Sequence, residues 1–418
     1  MPEREDDFRY LVFLLDGASD RPCPQLGGKT PLEAAQTPTF DHLARRGAQG
    51  LLETVPPECH PGSEVANLSI LGYDPRTANP GRGVLEAASM GIRLHPNGVV
   101  FRVNLITVEV DLITDHSADH ITSEEARVLL EYLEPGLQEA LHEPGLRLHP
   151  GVSYRHVLTL EHGSSEVDCT PPHDILGRPW RDHLPRPRKP EAEETAQLLR
   201  LLIEYSQSLL AGHPVNKERR AAGLRPATSL WPWAPGKQPS LVPFARLHRM
   251  KGAVISAVDL IKGIGRLTGM TVIEVPGATG QPETNYEGKA EAAVQALKDH
   301  RFVYVHVEGV DEAGHTGDPD LKLRTIEYCD RRLVGRALSL LETEGASFKV
   351  RIAVLPDHAT PCEIRTHDRS PVPLLLWGEG IEADRTLRFT EREAAGGRLG
   401  LRPGTDFLKL LTDRFRNK

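Results

Sequence analysis

Three stretches of the chain, residues 10–15, 302–307 and 350–355, are largely apolar and lack the regular polar alternation of a surface strand. Such a run is typical of a strand that is buried on both faces, as in a parallel sheet covered by helices. Helix-start signals follow the first run, because Thr30 and Thr37 each precede a proline, which is favoured at the first position of a helix. Strand, turn and helix in this order predict an α/β fold.

The alternation of strand and helix patterns stops after about residue 97 and resumes near residue 250. At 418 residues the chain also exceeds the length that one hydrophobic core usually supports. We interpret residues 231–236, Trp-Pro-Trp-Ala-Pro-Gly, as a proline-broken linker that returns the chain to its first part. We therefore predict a discontinuous α/β core, residues 1–97 and 249–418, interrupted by an inserted α+β domain at residues 98–248.

Composition narrows the function classes that fit this chain. The residues are 39% apolar and 26% charged, as in soluble globular proteins, and the formal net charge of −8 disfavours nucleic acid as the main partner. No apolar run approaches the roughly 20 residues that span a bilayer, and the acidic first seven residues do not resemble a signal peptide. The five cysteines are scattered, without a Cys-x-x-Cys pair. We predict a cytoplasmic protein that binds neither nucleic acid nor membrane.

Acidic residues and histidines follow the apolar runs. They are Asp16 after the first run, Asp311 and His315 after the second, Asp357 and His358 after the third, and His367 a few residues later. Each residue taken singly fits a turn, a helix cap or a solvated loop. Together they suggest a metal site, because the ends of neighbouring parallel strands meet at one edge of a sheet and carboxylate with imidazole suits divalent Zn or Mn.

A serine in the segment 60–74 is the candidate nucleophile. Ser63 follows Pro61 and Gly62 and precedes a helical pattern, so an ordinary N-cap is one interpretation of it. Free N–H groups at a helix N-terminus also favour an anion, which suits a phosphoserine. If Ser63 lies beside two metal ions, coordination would activate its hydroxyl without a histidine base.

Five further residues are weaker candidates. Lys262 precedes Gly-Ile-Gly and could neutralise a phosphate at a helix N-terminus, although an ordinary solvated lysine is an equal alternative. In the inserted domain, Arg155, His156, His173 and Asp174 could bind an anionic substrate. Nothing in the sequence determines where these four side chains point. The lone histidines elsewhere, His306 among them, are interpreted as structural.

Several motifs occur in a characteristic order. They are Asp16-Gly17, Pro61-Gly62-Ser63, Leu71-Gly72-Tyr73-Asp74-Pro75, Gly81-Arg82-Gly83, Asp311-Glu312-Ala313-Gly314-His315 and Asp357-His358, with further matches at residues 274–280 and 284–290. Together they resemble the archaeal-type cofactor-independent phosphoglycerate mutases of the alkaline phosphatase superfamily. The resemblance implies an alkaline-phosphatase-like core sheet with helices on both faces and an inserted α+β cap domain.

The resemblance also implies a site and a reaction. One divalent ion would be held by Asp16, Ser63, Asp357 and His358, and a second by Asp311, His315 and His367. The ions would be manganese, with zinc, cobalt and magnesium as alternatives, and 2,3-bisphosphoglycerate would not be required. Ser63 would accept the phosphoryl group of 3-phosphoglycerate and return it to the 2-hydroxyl, with Lys262 beside the phosphate.

The sequence departs from the family pattern directly after Ser63. Archaeal mutases typically read Asp-Thr-Ala-His there, whereas residues 64–67 of this chain are Glu-Val-Ala-Asn. A bacterial branch proposed as homoserine kinases is closer at this position and shares forms of residues 154–156 and 213–216. An ATP-dependent homoserine kinase and a metal-dependent phosphatase therefore remain as alternatives to the mutase. The oligomeric state is not predicted.

Overall fold

The computed structural model describes residues 8–237, 239, 241–343 and 348–412, so the expectation for the first seven residues lies outside it. The strands are β1 Phe8–Leu15, β2 Ala48–Glu53, β3 Val99–Glu109, β4 Leu112–Asp115, β5 Arg147–His149, β6 Arg155–Leu160, β7 Val167–Asp168, β8 Arg186–Pro187, β9 Ser229–Gly236, β10 Gly252–Ile255, β11 Thr271–Ile273, β12 Phe302–Val307, β13 Lys349–Leu355, β14 Val372–Gly378 and β15 Gly400–Pro403.

The helices are α1 Pro31–Ala34, α2 Pro38–Ala44, α3 Ser63–Ile70, α4 Pro75–Ala78, α5 Arg82–Ser89, α6 Ser123–Leu141, α7 Glu193–Leu210, α8 Pro214–Ala221, α9 Phe244–His248, α10 Asp259–Leu267, α11 Tyr286–Ala296, α12 Gly309–Thr316, α13 Pro319–Tyr328, α14 Arg336–Thr343, α15 Glu391–Ala395 and α16 Phe407–Thr412. A π-helical turn, Cys329–Gly335, joins α13 to α14. None of the helices within the described ranges is both long and apolar enough to span a bilayer.

The largest sheet has eight strands in the order β11-β10-β12-β1-β13-β14-β2-β15. Its central strand β1 pairs in parallel with β12 on one side and with β13 on the other. These three strands are the three apolar runs of the sequence, and each is buried because helices pack on both faces of a parallel sheet. The predicted α/β fold is confirmed.

The two faces of this sheet are covered by different helices. On one face, Val303 and Val305 of β12 share a core with Phe40 of α2 and Tyr286 of α11. On the other face, the ring of Phe302 lies 4.9 Å from that of Phe244 in α9. The predicted helices on both faces are therefore present.

The chain divides into two compact units, one of residues 1–79 and 241–418 and the other of residues 80–240. The inserted unit therefore begins 18 residues earlier and ends 8 residues earlier than the predicted range of 98–248. Helix α5 packs on β3 and β9, so it belongs to the inserted unit. Helix α9 contacts β12, so it belongs to the core unit.

The inserted unit is built on a second sheet in which β3 pairs with β4, β6 and β9, while β5 extends the sheet beyond β6. Helices α6 and α7 supply Leu133 and Leu199 to the core that covers one face. The prediction of a linker at residues 231–236 is wrong, because this segment lies within strand β9, antiparallel to β3. Its two prolines are tolerated because β9 pairs along one side, as an edge strand does.

Candidate active site

The carboxyl ends of β1, β12 and β13 lie side by side in the core unit. Asp16 directly follows β1, and Asp357 follows β13 by one residue. Helix α12 begins just after β12 and carries Asp311 and His315 one turn apart. Strand pairing thus brings together residues that are up to about 340 positions apart in the sequence.

A first group of ligand atoms surrounds the ring of His358. Its Nε2 lies 3.1 Å from Ser63 Oγ and 3.5 Å from one oxygen each of Asp16 and Asp357. Both carboxylates are fully buried, and burial together with the charge of Asp357 raises the pKa of Asp16 well above its usual value. Among the described residues, Asp16 Oδ1 has no hydrogen-bond partner. A buried, unpartnered carboxylate oxygen facing other electron-rich atoms fits a divalent cation.

A second group surrounds Asp311. Its Oδ2 lies 3.0 Å from His315 Nε2, and its Oδ1 lies 3.5 Å from His367 Nε2. The two imidazole Nε2 atoms are 3.0 Å apart. The hydrogen bond with Asp311 raises the pKa of His315 to about 9, so this ring holds a proton at neutral pH when no ion is bound. A metal ion would replace that proton.

The hydrogen bonds on the far side of two rings orient Nε2 toward the site. His315 Nδ1 lies 2.9 Å from the carbonyl oxygen of Arg365, which can only accept, so Nδ1 carries a hydrogen. His358 Nδ1 lies 3.3 Å from the hydroxyl of Thr360, which donates its own hydrogen to Asp311. Each neutral ring therefore presents the lone pair of Nε2 to the site, as metal-binding histidines do.

The two groups are adjacent. The rings of His358 and His367 are 4.1 Å apart between centroids. One ligand atom each from Asp311, His358 and His367 lies within 4.8 Å of the other two, and the same holds for Asp16, Asp357 and His358. All the residues that the sequence predicts as metal ligands thus occur in this one region. Their donor set of carboxylate oxygens and imidazole nitrogens fits two divalent ions.

Ser63 is the first residue of α3, and Gly62 occupies the N-cap position. The interpretation of Ser63 as an N-cap residue is therefore wrong. Its hydroxyl does not cap the helix and lies beside His358 instead. The side chain is half-buried, in a position where the first N–H groups of α3 favour an anion.

Gly17 allows β1 to turn sharply next to the site. Its φ is +63°, and a Cβ added there would lie 2.5 Å from Asp311 Oδ1 and 2.8 Å from Asp311 Cα. A side chain is therefore excluded both by the left-handed backbone and by the close approach of Asp311.

Sequence reasoning missed two residues at this site. His306 was interpreted as structural, yet its Nε2 lies 2.8 Å from Asp16 Oδ2 and its Nδ1 lies 3.1 Å from Ser256 Oγ. Glu308 Oε2 lies 3.6 Å from His306 Nε2, and burial raises the pKa of Glu308 to about 7. The sequence did contain one signal for His306, because Tyr304 and His306 are polar side chains on the same face of an otherwise apolar strand.

Lys262 lies on α10 and pairs with acidic neighbours. Its Nζ is 3.1 Å from Glu274 Oε2 and 3.9 Å from Asp259 Oδ1. Its side chain is 15% exposed. A contact between Lys262 and a phosphate on Ser63 remains a prediction.

Two of the candidate substrate-binding residues in the inserted unit, Arg155 and His156, lie on opposite faces of one strand. Arg155 begins β6 with its side chain exposed, and its guanidinium lies over the ring of Tyr154. His156 points to the opposite face, the one covered by helices, where it is 1% exposed and accepts a hydrogen bond from Gly151 N. Burial lowers the pKa of His156 to about 3. The prediction that His156 binds substrate is corrected, because its ring is a neutral part of the core.

His173 stays exposed in the inserted unit. Its ring lies 5.5 Å from that of Trp233, and its Nε2 is 3.6 Å from Asp174 Oδ1. Arg102, which sequence reasoning did not single out, lies over the ring of Trp233, 4.5 Å from its centroid, and pairs with Glu86. Arginine, histidine and tryptophan side chains thus share one region of this unit.

Carboxylate and imidazole groups around a serine, at the ends of parallel strands, are the arrangement expected of a metal-dependent phosphotransfer enzyme. A family model described as 2,3-bisphosphoglycerate-independent phosphoglycerate mutase matches residues 44–216. The chain is 47% identical over 403 residues to the mutase of that name from Methanothrix thermoacetophila, covering 96% of this chain and 99% of that protein. It is 43% identical over 411 residues to a probable mutase of that name from Geobacter sulfurreducens, covering 97% and 100%.

Among solved structures, the cofactor-independent phosphoglycerate mutase from Thermoplasma acidophilum matches with a TM-score of 0.71 and 30% identity, covering 97% of this chain and 98% of that chain. The chain therefore belongs to the family of 2,3-bisphosphoglycerate-independent phosphoglycerate mutases. The resemblance found in the sequence is confirmed, and the protein is an enzyme. The fold and the two ligand groups imply divalent metal ions.

Proposed function

We propose that this enzyme interconverts 3-phosphoglycerate and 2-phosphoglycerate through a phosphoserine at Ser63. The observation that carries the proposal is the Ser63 hydroxyl at 3.1 Å from His358 Nε2, beside the buried carboxylates of Asp16 and Asp357. A serine that is not used as a helix cap and faces metal-type ligands has a role in chemistry rather than in folding. The names of the relatives support the same substrate class.

The ligand groups divide between two ions in this proposal. One would be held by Asp16, Ser63, Asp357 and His358, and the other by Asp311, His315 and His367. We propose manganese, because a mixed set of carboxylates and imidazoles suits it, with zinc, cobalt and magnesium as alternatives. When bound, the ions would polarise the phosphoryl group and lower the pKa of the serine hydroxyl.

The chain's own residues perform two transfers. Ser63 Oγ forms a bond to phosphorus while the bond from phosphorus to the 3-oxygen of glycerate breaks, and the 3-oxygen takes up the proton that the serine gives up. The glycerate then reorients, and its 2-hydroxyl attacks the phosphoserine in the reverse sense. The phosphoryl group never leaves the enzyme for a second molecule, so 2,3-bisphosphoglycerate is not required. The N–H groups at the start of α3 favour the phosphate on Ser63.

Cationic residues would bind the anionic substrate. We propose that Arg155 and His173 contact it, since both are exposed and arginine binds carboxylate or phosphate with two parallel hydrogen bonds. Asp174 next to His173 would orient that ring. Lys262 would neutralise the phosphate. His156 is left out of this set because it is part of the core.

The phosphoserine is tested with two serines of the same helix. We expect Ser63→Ala to lower the mutase rate at least about a thousandfold and to abolish labelling by radioactive phosphoglycerate, because the acceptor oxygen is lost. Ser69→Ala is the matched control, since Ser69 is a buried residue of α3 whose hydroxyl has no partner among the described residues. A stable labelled protein in the Ser63→Ala sample would place the nucleophile elsewhere.

The reaction type is tested with paired substrates. Manganese-loaded enzyme is incubated with 3-phosphoglycerate, and the formation of 2-phosphoglycerate and of inorganic phosphate is followed. A second sample receives ATP and homoserine, and ADP is measured. We expect isomerisation alone. Turnover only in the second sample would establish the kinase, and release of inorganic phosphate without isomerisation would establish the phosphatase.

A further inference from the structure

We propose that Asn67 is a positioning residue that holds the nucleophile and a metal ligand in a fixed relation. Asn67 lies one turn after Ser63 in α3, at the last position of the segment where the sequence departs from the family pattern. The inference rests on the proposed roles of Ser63 and Asp357. It assigns a function to a residue that acts through its contacts with Ser63 and Asp357.

The side-chain amide of Asn67 makes three hydrogen bonds in a fully buried setting. Its Nδ2 donates to the carbonyl oxygen of Ser63 at 2.9 Å and to Asp357 Oδ2 at 2.9 Å. Its Oδ1 accepts from the hydroxyl of Tyr304 at 2.6 Å. Asn67 itself is 0% exposed. Both hydrogens of one NH₂ group thus connect the backbone of the nucleophile to the side chain of a metal ligand.

The chemistry of the three partners determines which way the amide faces. A carbonyl oxygen accepts only, and an ionised carboxylate accepts only, so the NH₂ end must face Ser63 and Asp357. The remaining oxygen needs a donor, and Tyr304 is fully buried beside it with a hydroxyl that can supply one. A flipped amide would turn its oxygen toward two groups that accept, the Ser63 carbonyl and the Asp357 carboxylate, whereas in the observed orientation the hydroxyl of Tyr304 also donates to Oδ1.

The effect on Asp357 follows from its other contacts. Its Oδ1 accepts hydrogen bonds from the backbone N–H groups of Gly17 and His358. Its Oδ2 accepts from Asn67 and lies 3.5 Å from His358 Nε2. The carboxylate is thus restrained at both oxygens, with one lone pair of Oδ2 left for an ion. Without Asn67 the Oδ2 end would lose its restraint.

Three variants separate this role from packing. Asn67→Asp keeps the size of the side chain and the acceptor for Tyr304 but removes both donors. Asn67→Leu keeps the branched shape of the side chain, with methyl groups in place of the amide oxygen and nitrogen, and removes all polar contacts. Tyr304→Phe removes one hydroxyl and leaves Asn67 in place. Each variant is compared with the unmodified enzyme in Mn²⁺ affinity by calorimetry, in kcat and KM, and in phosphoenzyme formation.

A matched control comes from the inserted unit. Asn216 is also 0% exposed, and its Nδ2 donates to the carbonyls of Leu210 and Ala227. We expect Asn216→Asp to lower stability without changing Mn²⁺ affinity or kcat of the folded enzyme. We expect Asn67→Asp and Asn67→Leu to weaken Mn²⁺ binding and to lower kcat about 10–100-fold, with a smaller change in KM. This is the usual effect of removing a hydrogen-bond partner of a metal ligand. Tyr304→Phe should lower Mn²⁺ affinity and kcat about 2–10-fold, as for the loss of one hydrogen bond.

The outcomes distinguish this inference from the function on which it rests. Wild-type Mn²⁺ affinity and kcat in Asn67→Leu, together with an inactive Ser63→Ala, would overturn the positioning role and leave the mutase mechanism intact. An active Ser63→Ala would overturn the mechanism instead. If Asn67→Leu does not fold, Tyr304→Phe decides, because unchanged Mn²⁺ affinity and kcat in that variant refute the positioning role.

Discussion

Replacing Gly17 by alanine should destabilise the core unit and its metal centre together. The backbone at Gly17 has a φ of +63°, which costs an L-residue other than glycine about 1–2 kcal/mol. The new Cβ would also lie 2.8 Å from Asp311 Cα, a backbone atom that cannot move aside cheaply. Forcing an extra carbon into a packed site costs typically about 1–3 kcal/mol.

The two costs add to about 2–5 kcal/mol. They can be separated with Gly27, whose φ is +66° and where an added Cβ would meet nothing within 4 Å. Gly27→Ala therefore carries the conformational cost alone, about 1–2 kcal/mol. The free energy of unfolding of each variant is measured by urea denaturation in the absence of metal, and Mn²⁺ affinity is measured by calorimetry.

We expect the two variants to differ by about 1–3 kcal/mol in stability, because Gly17→Ala alone collides with Asp311. Mn²⁺ affinity should fall only in Gly17→Ala, since Asp311 would be displaced from His315 and His367. Equal destabilisation by the two substitutions would refute the steric argument. Unchanged Mn²⁺ affinity in Gly17→Ala would show that Mn²⁺ binding does not depend on the present position of Asp311.

Two further expectations concern protonation and a buried ion pair. Because the pKa of metal-free His315 is about 9, Mn²⁺ binding at pH 7.5 should release about one proton from this ring, and the apparent Mn²⁺ affinity should rise about tenfold per pH unit until pH 9. Calorimetry in buffers of different ionisation enthalpy measures the proton release. Binding without proton release at pH 7.5 would contradict this expectation. Lys322→Met should cost about 3–5 kcal/mol by urea denaturation, because it leaves the fully buried Asp20 carboxylate without its cation. Adding Asp20→Asn should recover part of that loss, and no recovery would contradict the ion-pair explanation.

The sequence predicts the core sheet well because burial on both faces leaves a simple signal. The runs that become β1, β12 and β13 are largely apolar, and the polar residues that follow them become neighbours through parallel pairing. The inserted unit is less predictable. Prolines at 232 and 235 indicated a linker, yet an edge strand loses little when a residue has no N–H to donate.

The supporting residues of the site could not be found in the same way. Asn67 and Tyr304 meet across 237 residues, and nothing in the local sequence of either residue indicates this contact. Nor could the sequence show that His156 faces the helices while Arg155 faces away, because the alternation is known only once the strand register is known. Contacts of this kind depend on tertiary packing, which local patterns do not encode.

The order of the strands in the core sheet has a consequence for synthesis on the ribosome. Strand β1 emerges first, but its neighbours come much later, since Asp16 and His306 are separated by 290 residues. At a synthesis rate of about 5–20 residues per second, both edges of this strand stay unpaired for roughly 15–60 s. The inserted unit is continuous in sequence and has its own core, so it can fold during that interval. The nascent chain therefore carries an apolar strand that must be kept from aggregating until its two partners have been made.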